Sequence, residues 1–222
     1  MQATIRDTDV NILLVQEPPL LDRTPPTLDD FHCFPSHKQA CQTVTYVRKK
    51  TFRSTSVISD PHPDSLVVSL ILYSKDRKPL TINLANCYNR LQNCNWRTRG
   101  QPTRSLDPLI HETFALADLV AGDMNKHHPK WEAGYQSSQR AQNLVDICNA
   151  PKLHLANTPN IITSYPINNN RPAMLDLNFC KQDQITVRNW HTHLEQKALN
   201  HTPISYQAWS KTGTHQEYKR YN

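Results

Sequence analysis

Glycine is scarce in this sequence, which has only 4 glycines against 16 prolines in 222 residues. Because glycine enters left-handed backbone conformations most easily, this composition predicts stiff loops and few tight left-handed turns. No apolar run approaches the roughly 20 residues that a membrane-spanning helix needs. We also find no internal repeat and no low-complexity segment. The hydrophobic fraction of 37% and the charged fraction of 20% predict one soluble globular domain.

The cysteines lack the C-x-x-C spacing that is typical of structural zinc sites. The first residues, MQATIRDTDV, also lack the charged-then-apolar pattern of a secretory signal. We therefore expect reduced thiols and a nuclear or cytoplasmic protein that is not secreted and has no membrane partner. The six cysteines are Cys33, Cys41, Cys87, Cys94, Cys148 and Cys180.

Acidic residues are outnumbered by basic ones. Lys and Arg number 25 and Asp and Glu number 19, which gives a formal net charge of +6 and a sequence pI of about 9.0. A basic surface favours a polyanionic partner such as nucleic acid, although this excess is modest.

The hydrophobic pattern predicts strands that alternate with a few helices, which is typical of a layered α/β domain. Amphipathic helices are predicted over residues 106–115 and 140–150. A short strand is also expected to lead into Gly122. The other predicted strands cover residues 11–15, 44–47, 66–73, 80–88, 174–180, 185–190 and 203–209.

Carboxylates and an amide occur at the ends of three apolar runs, or within them. Glu17 closes ILLVQE, Asp123 and Asn125 close LADLVAGDMN, and Asp176 lies inside AMLDLNF. Residues i and i+2 of a strand face the same side, so Asp123 and Asn125 can point into one cleft. A carboxylate can deprotonate a water while an amide stabilises a developing phosphorane oxygen, which suits phosphodiester hydrolysis. Taken singly, each signal fits a turn or a solvated strand end equally well.

Taken in order, the motifs resemble the endonuclease/exonuclease/phosphatase superfamily, and most closely the endonuclease domain of LINE-type (non-LTR) retrotransposons. The form GDMNKHHPKW is the most specific motif, and the resemblance covers residues 11–209. It implies two β-sheets that face each other inside outer helices, the four-layer DNase I-like architecture. The motifs are QEP (residues 16–18), NCYN (86–89), GDMNKHHPKW (122–131), S-Y…MLDLNF (164–179) and NHTPIS (200–205).

The resemblance also implies catalytic roles for five residues. Asp123 would orient the attacking water, and Asn125 would stabilise the phosphorane. Tyr88 would contact the scissile phosphate. Asp176 would pair with His201, which would bind and neutralise that phosphate. His127, His128 and Trp131 are expected to build the loop beside the cleft.

Metal and DNA contacts follow from the same resemblance. Glu17 would ligate Mg²⁺, with Mn²⁺ as a possible substitute, and no organic cofactor is expected. Either Thr163 or Ser164 would lie near the phosphate. The segment 166–172, PINNNRP, matches a hairpin that reaches toward DNA in the family, which makes Asn169 and Arg171 candidate DNA contacts.

The sequence departs from the family pattern at two places. Leu199-Asn200-His201 stands where the family has Ser-Asp-His, so the metal side of the site loses one negative charge at Asn200, and its affinity for divalent ions should fall. The residues before Glu17 fit only the tail of the family's opening strand and helix. We therefore expect an N-terminally truncated endonuclease domain over residues 1–210, without the first strand. Residues 211–222 are expected to begin a linker toward a reverse transcriptase present in cis in a full-length element.

Three functions remain open at this point. The first is a Mg²⁺-dependent endonuclease, derived from a retrotransposon, that nicks duplex DNA. The second is a catalytically impaired remnant that at most binds DNA, which the departure at Asn200 and the missing strand favour. The third is a phosphoinositide or nucleotide phosphatase, which the HHPxW form disfavours.

Overall fold

The structure is a computed structural model that describes residues 10–73, 79–89, 107–165, 171–196 and 200–211. The expectation about a missing first strand concerns the region of residues 1–9, which lies outside this part. So do the tip of the hairpin at residues 166–170, and with it Asn169, and the linker from residue 212 onward.

A six-stranded sheet forms one layer, with the strand order β4-β5-β6-β7-β9-β8. Its neighbours pair antiparallel, except that β6 and β7 are parallel. The strands are β4 (Ser54–Val57), β5 (Ser65–Tyr73), β6 (Pro79–Tyr88), β7 (Leu119–Asp123), β8 (Leu153–Leu155) and β9 (Asp176–Lys181).

Two smaller antiparallel sheets form the facing layer. One has the order β1-β3-β2, and the other pairs β10 with β11. No hydrogen-bonded pairing joins the two sheets among the described strands. The strands are β1 (Ile12–Gln16), β2 (Phe31–Pro35), β3 (Thr43–Arg48), β10 (Ile185–Thr192) and β11 (Ile204–Ser210).

The core between the layers explains why several strands read as continuous apolar runs. Alternate residues of a strand face opposite sides. In β1, Ile12 and Leu14 pack between the two layers, whereas Leu13 and Val15 pack on the outer side against β2 and β3. Both faces of β1 are therefore buried, and no polar position is needed before Gln16.

Two helices and one short 3₁₀ turn complete the described fold. Helix α1 spans Asp107–Leu116, helix α2 spans Gln139–Asn149, and the 3₁₀ turn spans Leu194–Gln196. Ser138 caps α2 by accepting a hydrogen bond from the backbone amide of Ala141. Both helices contribute to a core on the outer face of the large sheet. The two facing sheet layers and this outer helical layer agree with the DNase I-like architecture expected from the sequence, and no helix of the described residues contributes to the core on the outer side of the β1-β3-β2 sheet. No described helix has the length and apolarity that crossing a membrane requires.

The predicted elements agree with the observed ones to within a few residues, and the structure adds three strands and the 3₁₀ turn. The sequence did not predict β2, β4 or β8. These strands are short, and β4 has no buried residue. All three are edge strands among the described strands. Each pairs with a single neighbour, and that pairing defines the strand.

Candidate active site

The polar residues at the ends of the central strands lie together at one end of the large sheet. Because β6 and β7 are parallel and β9 runs antiparallel to β7, the C-terminal ends of the first two lie beside the N-terminal start of the third. The register places Tyr88 opposite Asp123 and Asp123 opposite Asp176. Three residues from distant motifs thus lie side by side. Tyr88 is half-buried and the two carboxylates are buried.

Gly122 is what allows β6 and β7 to lie this close. A Cβ atom at position 122 would stand 1.8 Å from the carbonyl oxygen of Cys87. Any other residue would push the strands apart just before Asp123. The requirement is for space rather than for a left-handed backbone, which agrees with the low glycine content of the chain.

Asn125 folds back onto Asp123. The backbone amide of Asn125 donates to Asp123 Oδ1 at 3.0 Å, and its side-chain Nδ2 donates to Asp123 Oδ2 at 2.9 Å. Nδ2 also donates to the backbone oxygen of Asn89 at 3.0 Å. Asn125 has a φ of 48°, a left-handed conformation that asparagine tolerates better than most residues. The amide thus stays in contact with the carboxylate, although β7 ends at Asp123.

His201 links the two buried carboxylates. Its Nδ1 lies 2.9 Å from Asp176 Oδ2, and its Nε2 lies 4.0 Å from Asp123 Oδ2. Short β-bridges hold this arrangement, because Ser164 pairs with Ala173 on one side and with His201 on the other. An oxygen atom at hydrogen-bond distance from both Nε2 and Oδ2 fits this geometry, since 4.0 Å is less than the sum of two such bonds.

The site shifts two pKa values upward. Burial raises the pKa of Asp123 to about 8, and the neighbouring charge of Asp176 adds to the effect. Burial by itself would lower the pKa of His201. The hydrogen bond with Asp176, together with the charges of Asp176, Asp123 and Glu17, instead raises it to about 9. Asp176 therefore favours the imidazolium form of His201, while burial and the charge of Asp176 oppose ionisation of Asp123.

Glu17 lies at the end of β1, in the facing layer. Its carboxylate side chain is exposed, and its φ of 47° places the backbone in the left-handed region. The backbone amide of Glu17 donates to Gln42 O at 2.9 Å, which fixes this turn. The hydrogen bond from Gln16 to Asn86 joins the end of β1 to the large sheet, and the charge of Glu17 contributes to the raised pKa values of Asp123 and His201.

The family model described as endonuclease-reverse transcriptase matches residues 82–205, more than half of the chain. The chain belongs to this family. The matched range, residues 82–205, includes the five residues with expected catalytic roles, and Glu17 lies before this range. The five are Tyr88, Asp123, Asn125, Asp176 and His201. No curated protein matches the chain.

Solved structures share the fold of this family member at low sequence identity. The endonuclease domain of TRAS1, a telomere-specific non-LTR retrotransposon, is 17% identical, with a TM-score of 0.62 over 90% of this chain and 85% of that one. The catalytic domain of Xenopus laevis APE2 is 12% identical, with a TM-score of 0.66 over 95% and 86%. D. rerio TDP2 complexed with a single-strand DNA product is 10% identical, with a TM-score of 0.51 over 89% and 85%. These likenesses establish the DNase I-like fold.

Asn200, Thr163 and Ser164 also lie in this region. The backbone oxygen of Asn200 accepts from the amide of Tyr165 at 2.6 Å, and the residue is half-buried. The Thr163 hydroxyl accepts from the amides of Leu175 and Asp176 at 3.1 and 3.0 Å, so it orients the start of β9. Ser164 takes part through its backbone bridges.

The donor set suits a hard cation that keeps most of its water. Among the described residues, no group of three His, Cys, Asp or Glu side chains could hold a metal ion. Glu17 offers one exposed carboxylate, whereas Asp123 is occupied by Asn125 and Asp176 by His201. Mg²⁺ is commonly bound through one or two carboxylates together with substrate phosphate and water. One exposed carboxylate agrees with a Mg²⁺ ion that would be held mainly by substrate phosphate and water.

Two asparagines to which the sequence assigned no role support the site. Buried Asn86 accepts a hydrogen bond from Gln16 Nε2 at 2.5 Å and donates to Val44 O at 3.0 Å, which ties β6 to β1 and β3. Asn89 donates its Nδ2 to Met124 O at 2.6 Å and holds the loop that carries Asn125. Both belong to the NCYN motif. The two asparagines at the end of a predicted strand were the signal in the sequence that could have identified them.

Proposed function

We propose that this family member is a Mg²⁺-dependent endonuclease, derived from a non-LTR retrotransposon, that nicks one strand of duplex DNA, with Mn²⁺ able to replace Mg²⁺. The observation that carries the proposal is the convergence of Asp123, Asn125, Asp176 and His201 at one sheet edge, with Glu17 facing them. The family description pairs such an endonuclease with a reverse transcriptase, which would be the partner in cis in a full-length element.

Asp123 is the general base of the proposed reaction. A water molecule held by its carboxylate loses a proton to Asp123 as the water oxygen bonds to phosphorus. The bond from phosphorus to the leaving ester oxygen breaks, and that oxygen takes a proton from solvent. The raised pKa of Asp123 makes its carboxylate a stronger base than that of an ordinary aspartate. Asn125 keeps the carboxylate oriented through its two hydrogen bonds.

His201 supplies positive charge to the phosphate. Its Nδ1 is engaged by Asp176, so its Nε2 remains directed toward the space beside Asp123. An imidazolium there stabilises the additional negative charge that develops on the phosphoryl oxygens in the transition state. Tyr88, next to Asp123 in the register, is positioned to contact the same phosphate.

When bound, Mg²⁺ would supply Lewis-acid stabilisation of the phosphate oxygens. Glu17 and the side chain of Asn200 are its proposed protein ligands. Glu17 carries the charge of this pair, and the neutral amide of Asn200 adds an oxygen without charge.

A second candidate function is a catalytically impaired remnant that at most binds DNA. The observation that favours it is the single charged side chain in the proposed metal set, since Asn200 is neutral. Weak metal binding would leave the phosphate without its Lewis acid, while the basic chain would still bind DNA.

Conversion of supercoiled plasmid to open circles in Mg²⁺ tests these proposals. We expect the wild-type chain to nick and Asp123→Ala to slow nicking by roughly 10²–10⁴-fold, the usual contribution of a general base. Asp183→Ala, which removes an exposed carboxylate in the turn between β9 and β10, is the matched control and should nick like the wild type. An Asp123→Ala chain that nicks at the wild-type rate would refute the assignment of the base.

Asn200→Asp separates the two candidates. If the wild type is active, this variant should reach half-maximal nicking at a lower Mg²⁺ concentration, because a carboxylate binds Mg²⁺ more tightly than an amide. If the wild type is silent and only Asn200→Asp nicks, the remnant hypothesis holds and the missing charge is its cause.

A further inference from the structure

His127, in the HHPxW motif, is linked through Tyr135 to the segment that leads into β9. His127 stacks on Tyr135, with ring centroids 4.3 Å apart and an interplanar angle of 5°. The guanidinium carbon of Arg171 lies 4.8 Å from the centroid of the same tyrosine ring. We call these three residues the Tyr135 stack. It joins the loop after β7 to the residues that precede β9.

Glu132 fixes the stack to the site. Its Oε2 lies 2.7 Å from His127 Nδ1, and its Oε1 accepts from the backbone amide of Met174 at 3.1 Å. Both carboxylate oxygens are thus used, and Glu132 is buried. A buried carboxylate with two partners is a rigid anchor, since breaking either contact would leave an unpaired acceptor away from water.

The stack lies close to the catalytic residues along the chain. His127 is two residues after Asn125, and Met174 is two residues before Asp176. Two Cα–Cα steps span at most about 7.6 Å. His127 and the anchor of Glu132 at Met174 are therefore close to Asn125 and Asp176, beside the place where Asp123 and His201 would hold a phosphate.

The position of Arg171 over the ring of Tyr135 is compatible with further hydrogen bonds from its guanidinium. A guanidinium that lies over an aromatic ring uses its face, while its five N–H groups point outward in its plane. Arg171 is exposed, and it forms no ion pair within the described part of the chain. Stacking also reduces the rotamer freedom that a long side chain loses on binding, so it prepares the arginine for an anion.

Resting on the proposed function, we propose that Tyr135 and His127 are positioning residues that hold Arg171 for a contact with a DNA phosphate beside the scissile one. The HHPxW loop thereby contributes to DNA binding without itself touching the reacting atoms. Its partner is the phosphodiester backbone, which is recognised by charge rather than by base sequence.

The salt dependence of DNA binding tests this inference, because it counts phosphate contacts. Binding of a fluorescent duplex is measured by anisotropy in EDTA, which keeps the DNA intact, over a series of salt concentrations. Each phosphate contact contributes about −0.9 to the slope of log K against log salt. We expect Arg171→Ala to weaken binding roughly 3- to 10-fold and to reduce the magnitude of the slope by about one contact.

Tyr135→Leu should lose the same contact although it removes no charge. In the Arg171→Ala background it should have no further effect, since residues that act through one contact are not additive. Tyr135→Phe keeps the ring and should retain the wild-type slope. Arg188→Ala is the matched control, because Arg188 lies 5.7 Å from the ring centroid of Trp209 in a similar cation–π pair on β10 and β11. It should leave the slope unchanged.

The outcomes separate the inference from the proposed function. A wild-type chain that nicks plasmid, with Tyr135→Leu at the wild-type slope, overturns the positioning role alone. An unchanged slope for Arg171→Ala overturns the phosphate contact. A wild type that neither nicks nor binds duplex DNA overturns the proposed function and this inference together. Thermal melts of each variant identify unfolding. If Tyr135→Leu does not fold, Tyr135→Met, which also removes the ring, takes its place: a reduced slope supports the positioning role and a wild-type slope overturns it.

Discussion

The Asp176–His201 pair determines the charge at the centre of the site. Asp176 is 2% exposed and His201 Nδ1 lies 2.9 Å from its carboxylate. A buried carboxylate next to an imidazole favours the imidazolium, because each charge offsets the cost of burying the other. His201 therefore carries its positive charge at the pH where Asp123, with its raised pKa, begins to lose its proton.

The protonation state of His201 is directly measurable. We expect ring-carbon NMR shifts to show imidazolium at about pH 7.5 in the wild type, with titration near pH 9. In Asp176→Asn the pKa should fall toward 6.5 or below, since burial then acts without its counter-charge. His111, an exposed histidine on α1, provides the internal comparison in the same spectra. A wild-type His201 that is already neutral in this pH range would contradict the imidazolium form that Asp176 favours.

The same shift links stability to pH. The pKa of His201 in the folded state is raised above the ordinary value of 6.5, so its stabilising contribution is complete below about pH 6.5. That contribution is lost as the pH rises through about 9.

Replacement of the buried Asn86 should greatly lower the free energy of unfolding. Its side chain is 0% exposed and forms hydrogen bonds with Gln16 and Val44. Asn86→Leu keeps the volume but leaves these polar groups unpaired in the core, which costs about 2–4 kcal/mol of unfolding free energy. Asn143→Leu, at a partly exposed position on α2, should cost less than about 0.5 kcal/mol. Urea denaturation of the two variants checks the difference.

At the scale of elements, the parallel pair β6 and β7 is the structure on which the site is built. It brings Tyr88 and Asp123 to one edge, and the close approach at Gly122 sets the spacing of the two strands. The contact of a Cβ with a backbone oxygen cannot be relieved by a change of rotamer. The strands themselves would have to move.

Gly122→Ala should therefore destabilise the protein by about 3 kcal/mol or more, at the upper end of the usual overpacking cost. It should also lower nicking by displacing Asp123. Gly134→Ala is the control with a different cause of strain. Nothing lies within 4 Å of its added Cβ, but its φ of 85° is left-handed, so we expect a cost of about 1–2 kcal/mol. Equal melting temperatures for the two variants would contradict the close approach at Gly122.

At the scale of the whole molecule, the two layers differ in continuity. One layer is a single six-stranded sheet, and the other is divided between a three-stranded and a two-stranded sheet among the described strands. The site joins them, since Glu17 ends a strand of one layer while Asp123 and Asp176 belong to the other. The relative position of the layers therefore determines the distance between the proposed metal ligand and the proposed base.

This difference should appear in amide hydrogen exchange. We expect the slowest exchange in β5, β6 and β7, which are central strands paired on both sides. The β10 and β11 pair should exchange faster, because each of these strands has one partner among the described strands and a two-stranded unit is marginally stable by itself. Mass spectrometry of exchanged peptides measures both regions at once. Equal protection of the two would indicate that the layers unfold as a single unit.

The sequence determined most of the elements and the identity of the proposed site residues. Apolar periodicity is a local property, so β1, β5, β6 and both helices could be predicted from their own residues. The motif that contains Asp123 and Asn125 is also local, and its order along the chain relative to the Asp176 and His201 motifs indicated the family.

Tertiary structure alone decided the remaining features. The strands β2, β4 and β8 depend on a neighbour that supplies the pairing, and no run of their own residues requires it. The pKa values of Asp123 and His201 depend on burial and on charges from strands far apart in sequence. The Tyr135 stack brings together residues 127, 135 and 171, whose contact no local pattern encodes. Periodicity is determined by residues that are close in sequence. Register, burial and contacts between distant side chains arise only when the layers pack together.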